Sequence, residues 1–374
     1  MRSLITWISK IFKSGYVPRD SHFAPIYPDS PLVMKNNPGT ATSPARSTKK
    51  SKPASITKPV ATVKEFEGDY KHFPSFVEAS YFEWLACQSD QSPLADKAYE
   101  AKIIEYLDVL AESELAGANL IPRVPSVMVQ LLKRMHEENV SGLELSRIIT
   151  KDVVLLAAVL KEVNSSFYNL DSKVSDLSQA ILLLGHNRLR MVLAKLSFRP
   201  VFNDQLGNYS KLTSAKIWDQ SQRRALAGYL LAKHQKVDPF MAFLAGLMYD
   251  VGLVVALRVF DRSSSNAALP TTSSFRHALK LKALILSTRI GQIWILPEIV
   301  IRAIEAQGID RIAYAKLPIA KVLKKADFIS KTVTLIEAGY LKVELDKVRG
   351  IVTESEMDCL INMLEGQSSV ANIL

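Results

Sequence analysis

Cysteine is almost missing from this chain: Cys87 and Cys359 are the only two in 374 residues. So far apart, they make neither a CxxC metal knuckle nor a disulfide framework, which excludes a small cystine-stapled fold and points to a reducing cytoplasm. Glycine is sparse too, with 15 residues, and none clusters into a phosphate-cradling loop or a dinucleotide fingerprint. Alternation of period two is absent beyond residue 70, so a sheet protein is excluded. Long apolar runs are scarce, and the longest, Phe240 to Phe260, is interrupted by Asp250. A carboxylate at the centre of a bilayer costs about 2.5–3.5 kcal/mol. The run therefore reads as a buried pair of soluble helices, with Gly246 and Gly252 allowing close packing or a break.

What is present is apolar material for a core, 48% of residues, and a positive charge of +10 that is unevenly placed. Residues 1–65 hold eleven Lys or Arg against three acids, a surplus of +8, so the rest of the chain carries +2. Eight of the 17 prolines fall there as well. Such a stretch buries too little apolar surface to offset its ordering entropy, and residues 14–65 read as a disordered basic linker. Residues 1–13 differ. On a helical wheel Met1, Leu4, Ile5, Trp7, Ile8, Ile11 and Phe12 share one arc opposite Arg2, Lys10 and Lys13. This basic amphipathic helix suits either an anionic membrane surface, contacted by Trp7, Ile8, Phe12, Lys10 and Lys13, or docking on a partner or on the body of the chain itself.

From residue 70 onward apolar residues recur at three and four, and the expected fold is all-α. Two helices are expected around residues 72–116 and two more near 341–366. Pro125 opens a helix to about Glu138, and Ser141 with Glu144 forms a capping-box pattern. Asp238–Pro239 and Pro297 mark further starts, the latter with Val300, Ala303 and Ile304 facing inward.

Read in order, LIPRVPSVMVQLLKRM, LSRIITKDVVLLAAVLKEVNSSFYNL and VSDLSQAILLLGHNRLRMVL resemble the opening lobe of the HDOD domain, a bacterial signalling module. The later strings IWDQSQRRALAGYLLA, DPFMAFLAGLMYDVGLVVAL, WILPEIVIRAI and KKADFIS resemble its second lobe, which is related to HD-type metal phosphohydrolases. The resemblance implies a two-lobed helical bundle over residues 119–345, preceded by a helical extension at 66–118 and followed by a helical segment at 346–374.

An HD hydrolase holds its metals with a first His, a His-Asp doublet and a distant Asp, because imidazoles and carboxylates bind the ion while leaving room for an activated water. By that resemblance the four positions here are Gln220, Tyr249, Asp250 and Asp327. Both imidazoles are replaced, and neither an amide nor a neutral phenol substitutes well as a ligand. Ala283 and the Gln307–Gly308 pair stand where further histidines would be. The six histidines present, His22, His72, His136, His186, His234 and His277, read as surface or helix-end residues. Ser165 and Ser166 lack a neighbouring base and read as a capped turn. Asp250 and Asp327 read as buried carboxylates tying helices together, or as a vestigial pocket that binds a small ligand without turning it over. No cofactor and no metal are expected.

Arg188, Arg190, Lys195 and Arg199 follow a turn at Gly185, with 188, 195 and 199 near one face, where an anion or acidic partner could be held. Interleaved aromatics are missing, so specific nucleic-acid binding is not expected. The function expected is a non-catalytic signalling module acting through a protein partner in the cytoplasm, with peripheral contact at the inner face of the membrane through residues 1–13. The alternative is a divergent HD-type phosphohydrolase acting on nucleotides or cyclic dinucleotides.

Overall fold

Several helices begin where a side chain caps the first amides or a proline occupies the first turn. The computed structural model describes residues 63–86, 97–112, 142–164, 173–203, 207–263, 270, 272–308 and 316–365. Cys87, Pro122, the helix opened by Pro125, Ser141, Ser165 and Ser166, and everything read in residues 1–62 lie outside them. All described residues belong to one unit, Ala61–Leu374.

The extension contributes α1 (Phe73–Leu85) and α2 (Lys97–Glu112), at the places where two helices were expected. Next come α3 (Gly142–Thr150) and α4 (Val153–Val163). Asp152 caps α4, accepting from the amides of Val154 and Leu155 at 2.9 and 3.0 Å. Asn164 then clamps the following segment, its amide donating to the Val174 carbonyl and its carbonyl accepting from the Val174 amide, both at 2.7 Å. Helix α5 (Leu177–Asn203) is broken at Gly185, whose φ of 66° lies in the left-handed region that glycine enters without steric cost.

The second half is organised around α6 (Asn208–His234), which packs on α7 (Pro239–Met248), α8 (Val251–Ser263) and α11 (Pro318–Glu337). Asp261 of α8 caps α6 from a distance, accepting from the amides of Tyr209 and Ser210 at 2.7 and 3.0 Å. The apolar run from 240 to 260 is the consecutive pair α7 and α8, buried inside the fold and separated by Tyr249 and Asp250. Its glycines are places of close approach. A Cβ on Gly246 would come within 2.7 Å of the Ala225 Cα of α6, and one on Gly252 within 1.9 Å of the Ala283 carbonyl oxygen. Ala283 belongs to α9 (Ser273–Ile293), which is followed by α10 (Glu298–Glu305), with Val300, Ala303 and Ile304 buried as expected. The chain closes with α12 (Leu345–Arg349) and α13 (Glu354–Leu364).

One boundary differs from the sequence reading. Lys64 and Glu65, assigned to the linker, form a short parallel pair, β1 with β2, opposite Leu341 and Lys342. Lys64 also ion-pairs with Glu83, so the folded body starts slightly earlier than composition indicates. The extension is fastened to that body. Arg276 pairs with Glu83 at 3.2 Å, and the Lys216 ammonium donates to the Trp84 carbonyl at 2.6 Å while lying 4.2 Å from its ring centroid. The Thr272 hydroxyl donates to Glu100 of α2 at 2.8 Å.

Candidate functional site

Helices α6 and α11 bring together the side chains that the sequence singled out. Gln220 on α6 is fully buried, with its amide donating to the Ser330 hydroxyl and its carbonyl accepting from Thr334, both at 2.8 Å on α11. Gln220 is thus a neutral tie between two helices. Asp250 sits at the α7–α8 break, and Asp327 lies one turn before Lys331 on α11.

Between the two carboxylates lies Arg224, four residues after Gln220 on the same helix and wholly inaccessible to solvent. Its Nη1 is 2.8 Å from Asp250 Oδ2 and its Nε donates to Asp327 Oδ1 at 2.8 Å. The guanidinium also lies over the Tyr249 ring, 4.2 Å from the centroid, where the π-face attracts a desolvated cation. Tyr249 is therefore a platform for the arginine, and its own carbonyl accepts from Ser287 at 2.7 Å. Lys331, 5% exposed, donates to the second oxygen of Asp327 at 2.8 Å and to Glu78 Oε2 at 2.6 Å. Lys280 of α9 donates to Glu78 Oε1 at 2.9 Å.

The network runs from Asp250 through Arg224, Asp327, Lys331 and Glu78 to Lys280, alternating in sign and balanced at three cations against three carboxylates. Its interior end is buried, while Glu78 and Lys280 retain 39% and 37% exposure at the mouth. Titration follows from this placement. Burial pushes Asp327 up, but Lys331 and Arg224 outweigh it and hold the carboxyl far below its ordinary range. Burial opposes charge on Arg224, yet Asp250 and Asp327 leave it raised. Burial likewise resists ionisation of Glu78, and Lys331 with Lys280 reverse the sign, leaving it lowered. Tyr81, one turn beyond Glu78 on α1, is held well above its usual value by burial and then by Asp250. Its hydroxyl, Arg224 Nη2 and Asp250 Oδ2 are buried without an aligned hydrogen-bond partner; the 2.8 Å approach of Asp250 to Arg224 is an ion pair, not a well-directed hydrogen bond.

A divalent metal does not fit this donor set. The guanidinium already stands against both acids, and a second positive centre between them would be repelled inside a medium of low polarity. Among the described residues no group of three or more His, Cys, Asp or Glu side chains gathers at metal-binding spacing. His72, His234 and His277 are exposed. The Ala283 carbonyl packs against Gly252, and Gln307 donates to the carbonyls of Ala303 and Ala320 at 3.0 Å, so Ala283 and Gln307 serve packing and bracing here.

The basic residues on α5 are placed differently from one another. Arg190 is buried, its guanidinium 4.2 Å from the Phe240 ring centroid, and Lys195 pairs with Glu162 at 2.7 Å. Arg188 is half-buried and Arg199 exposed.

Sequence reasoning missed Arg224, Lys331, Lys280, Glu78 and Tyr81. Two of them left a readable trace, since Arg224 and Lys331 each follow a singled-out residue at four positions on the same helix, a spacing that places them side by side.

Comparison with known proteins agrees with this architecture. The HDOD domain family matches residues 121–308. An HDOD domain protein of unknown function from Geobacter sulfurreducens shares the fold at a TM-score of 0.52 and 20% identity, over 72% of this chain and 93% of that one. An uncharacterised protein of Treponema pallidum is 25% identical over 36% of this chain and 26% of its own length. The uncharacterised YuxH of Bacillus subtilis is 30% identical over 32% and 28% respectively. The chain thus matches little more than a quarter of these curated relatives.

Proposed function

The chain belongs to the HDOD domain family, and from that premise we propose that it is a signal-transduction module without hydrolytic chemistry, which acts by presenting its helical surface to a protein partner. The observation that carries the reading is the Arg224 guanidinium between Asp250 and Asp327. An HD-type hydrolase uses that place for a metal that activates water. Here an arginine supplies the positive charge permanently, and an arginine has no open coordination position and generates no hydroxide at neutral pH. The carboxylates are retained because removing either would leave a buried cation unpaired, a structural reason that needs no turnover.

Metal analysis of the purified full-length protein tests the proposal. The expected result is far less than one equivalent of Mn, Fe or Zn, unchanged in Asp250→Ala. Stoichiometric metal that disappears in Asp250→Ala would overturn it in favour of a divergent phosphohydrolase. The partner is a further part of the proposal, and so is a cytoplasmic setting with residues 1–13 at a membrane surface.

A further inference from the structure

Lys280 and Lys331 come from different helices, α9 and α11, and converge on the two oxygens of one carboxylate, Glu78. Both cations belong to the body, whereas Glu78 lies on α1, ahead of the span that matches the family. Without that carboxylate the recess would hold Lys280, Lys331 and Arg224 against only Asp250 and Asp327, an excess of one positive charge. Two buried donors of the same network have no aligned hydrogen-bond acceptor, the Tyr81 hydroxyl, whose ring lies 5.2 Å from the Lys331 ammonium, and Arg224 Nη2, both on side chains at least nine-tenths buried.

From this juxtaposition we infer that the mouth of the recess is an oxyanion site for a phosphoryl group, and that the Glu78 carboxylate is its resting occupant. Two ammonium groups already grip a pair of oxygens there, which is the arrangement that a tetrahedral phosphoryl anion needs on its outer face. The way in does not require α1 to leave. Phe73, Val77 and Leu85 anchor that helix in the core, while the Glu78 side chain is more than a third exposed. A rotation of this one side chain into solvent releases both lysines from Glu78, with Lys331 still paired to Asp327. The ligand is small or offers a terminal phosphoryl group, since Lys331 is 5% exposed and admits only the tip of a larger molecule. The inference goes beyond the non-catalytic reading, because binding here does not depend on whether a metal lies deeper in the recess.

The test uses the full-length protein and inorganic phosphate, titrated calorimetrically and by thermal unfolding at constant ionic strength, with chloride as the control. Glu78→Gln removes the competing charge at nearly constant volume. It should bind phosphate at least tenfold more tightly than the wild type, with a phosphate-dependent rise in Tm. Adding Lys280→Met to that variant should abolish both effects. Equal affinity in wild type and Glu78→Gln would overturn the inference, as would a gain that survives Lys280→Met, which would mean an adventitious ion only. Should Glu78→Gln fail to fold, Lys280→Met in the wild-type background answers the same question. The phosphate-induced rise in Tm must then shrink, and an equal rise in both proteins would overturn the inference. Metal content is read separately, so either conclusion can fail without the other.

Discussion

Arg223 and Arg224 are neighbours on one helix, yet their surroundings have little in common. Arg223 reaches Glu337 at 2.6 Å near the surface, and Arg224 is sealed between two acids. A charge in that position depends on its partners for solvation, and the partners depend on it. Arg224→Met keeps much of the volume but leaves Asp250 and Asp327 facing each other with Lys331 as the nearest remaining cation. The expected loss is about 3–5 kcal/mol at neutral pH, the range for breaking a buried pair by removing one member, measured by urea unfolding. Arg223→Met should change stability by no more than about 1 kcal/mol, since its pair is half-exposed and solvated. In the sequence only the spacing from Gln220, four residues against three, sets Arg224 apart from Arg223, whereas Gln220, Asp250 and Asp327 are marked directly, because a motif position is a matter of order along the chain.

Helix ends were the more legible feature. Asp238 with Pro239 begins a helix where sequence reasoning placed one, because a cap acts on amides two or three residues away and needs no distant partner, and Pro297 also stands at an expected start. The termination of α9 was not legible. Leu296 donates to the Gly291 carbonyl and Ile295 to that of Gln292, both closing the helix with Ile295 at φ 56°. The end of α11 uses the same pattern with Gly339 at φ 66°. A β-branched residue in the left-handed region is strained by roughly 1–2 kcal/mol, and Ile295 is 59% exposed, so burial returns little of that cost. Ile295→Gly should therefore stabilise the protein by about 1 kcal/mol, read as a higher Tm with unchanged circular dichroism. A fall in Tm would show that the Ile295 side chain packs more productively than its exposure indicates.

For the whole molecule, the ion network sets a pH window. Asp327 is depressed in the folded state, so its contribution is present above the unfolded carboxyl value near 3.9 and disappears as pH falls through the folded one. Lys331 is raised, so its contribution holds below about 10.4 and is lost as pH climbs through the folded value. Stability should plateau between these limits and fall off steeply below about pH 4. Asp327→Asn should lower the plateau and flatten its acid limb, measured as unfolding free energy between pH 3 and 9. An acid limb as steep as that of the wild type would remove Asp327 from the account. The sequence by itself determined the all-α class, several helix starts and the buried pair α7–α8, since these follow from spacing and nearest-neighbour chemistry, and it singled out Asp250 and Asp327 by resemblance. Only the tertiary structure decided what stands between those acids and what closes the mouth of the recess. Glu78 and Lys331 are 253 residues apart along the chain, and an ion pair of that reach exists only once the helices that carry it have packed.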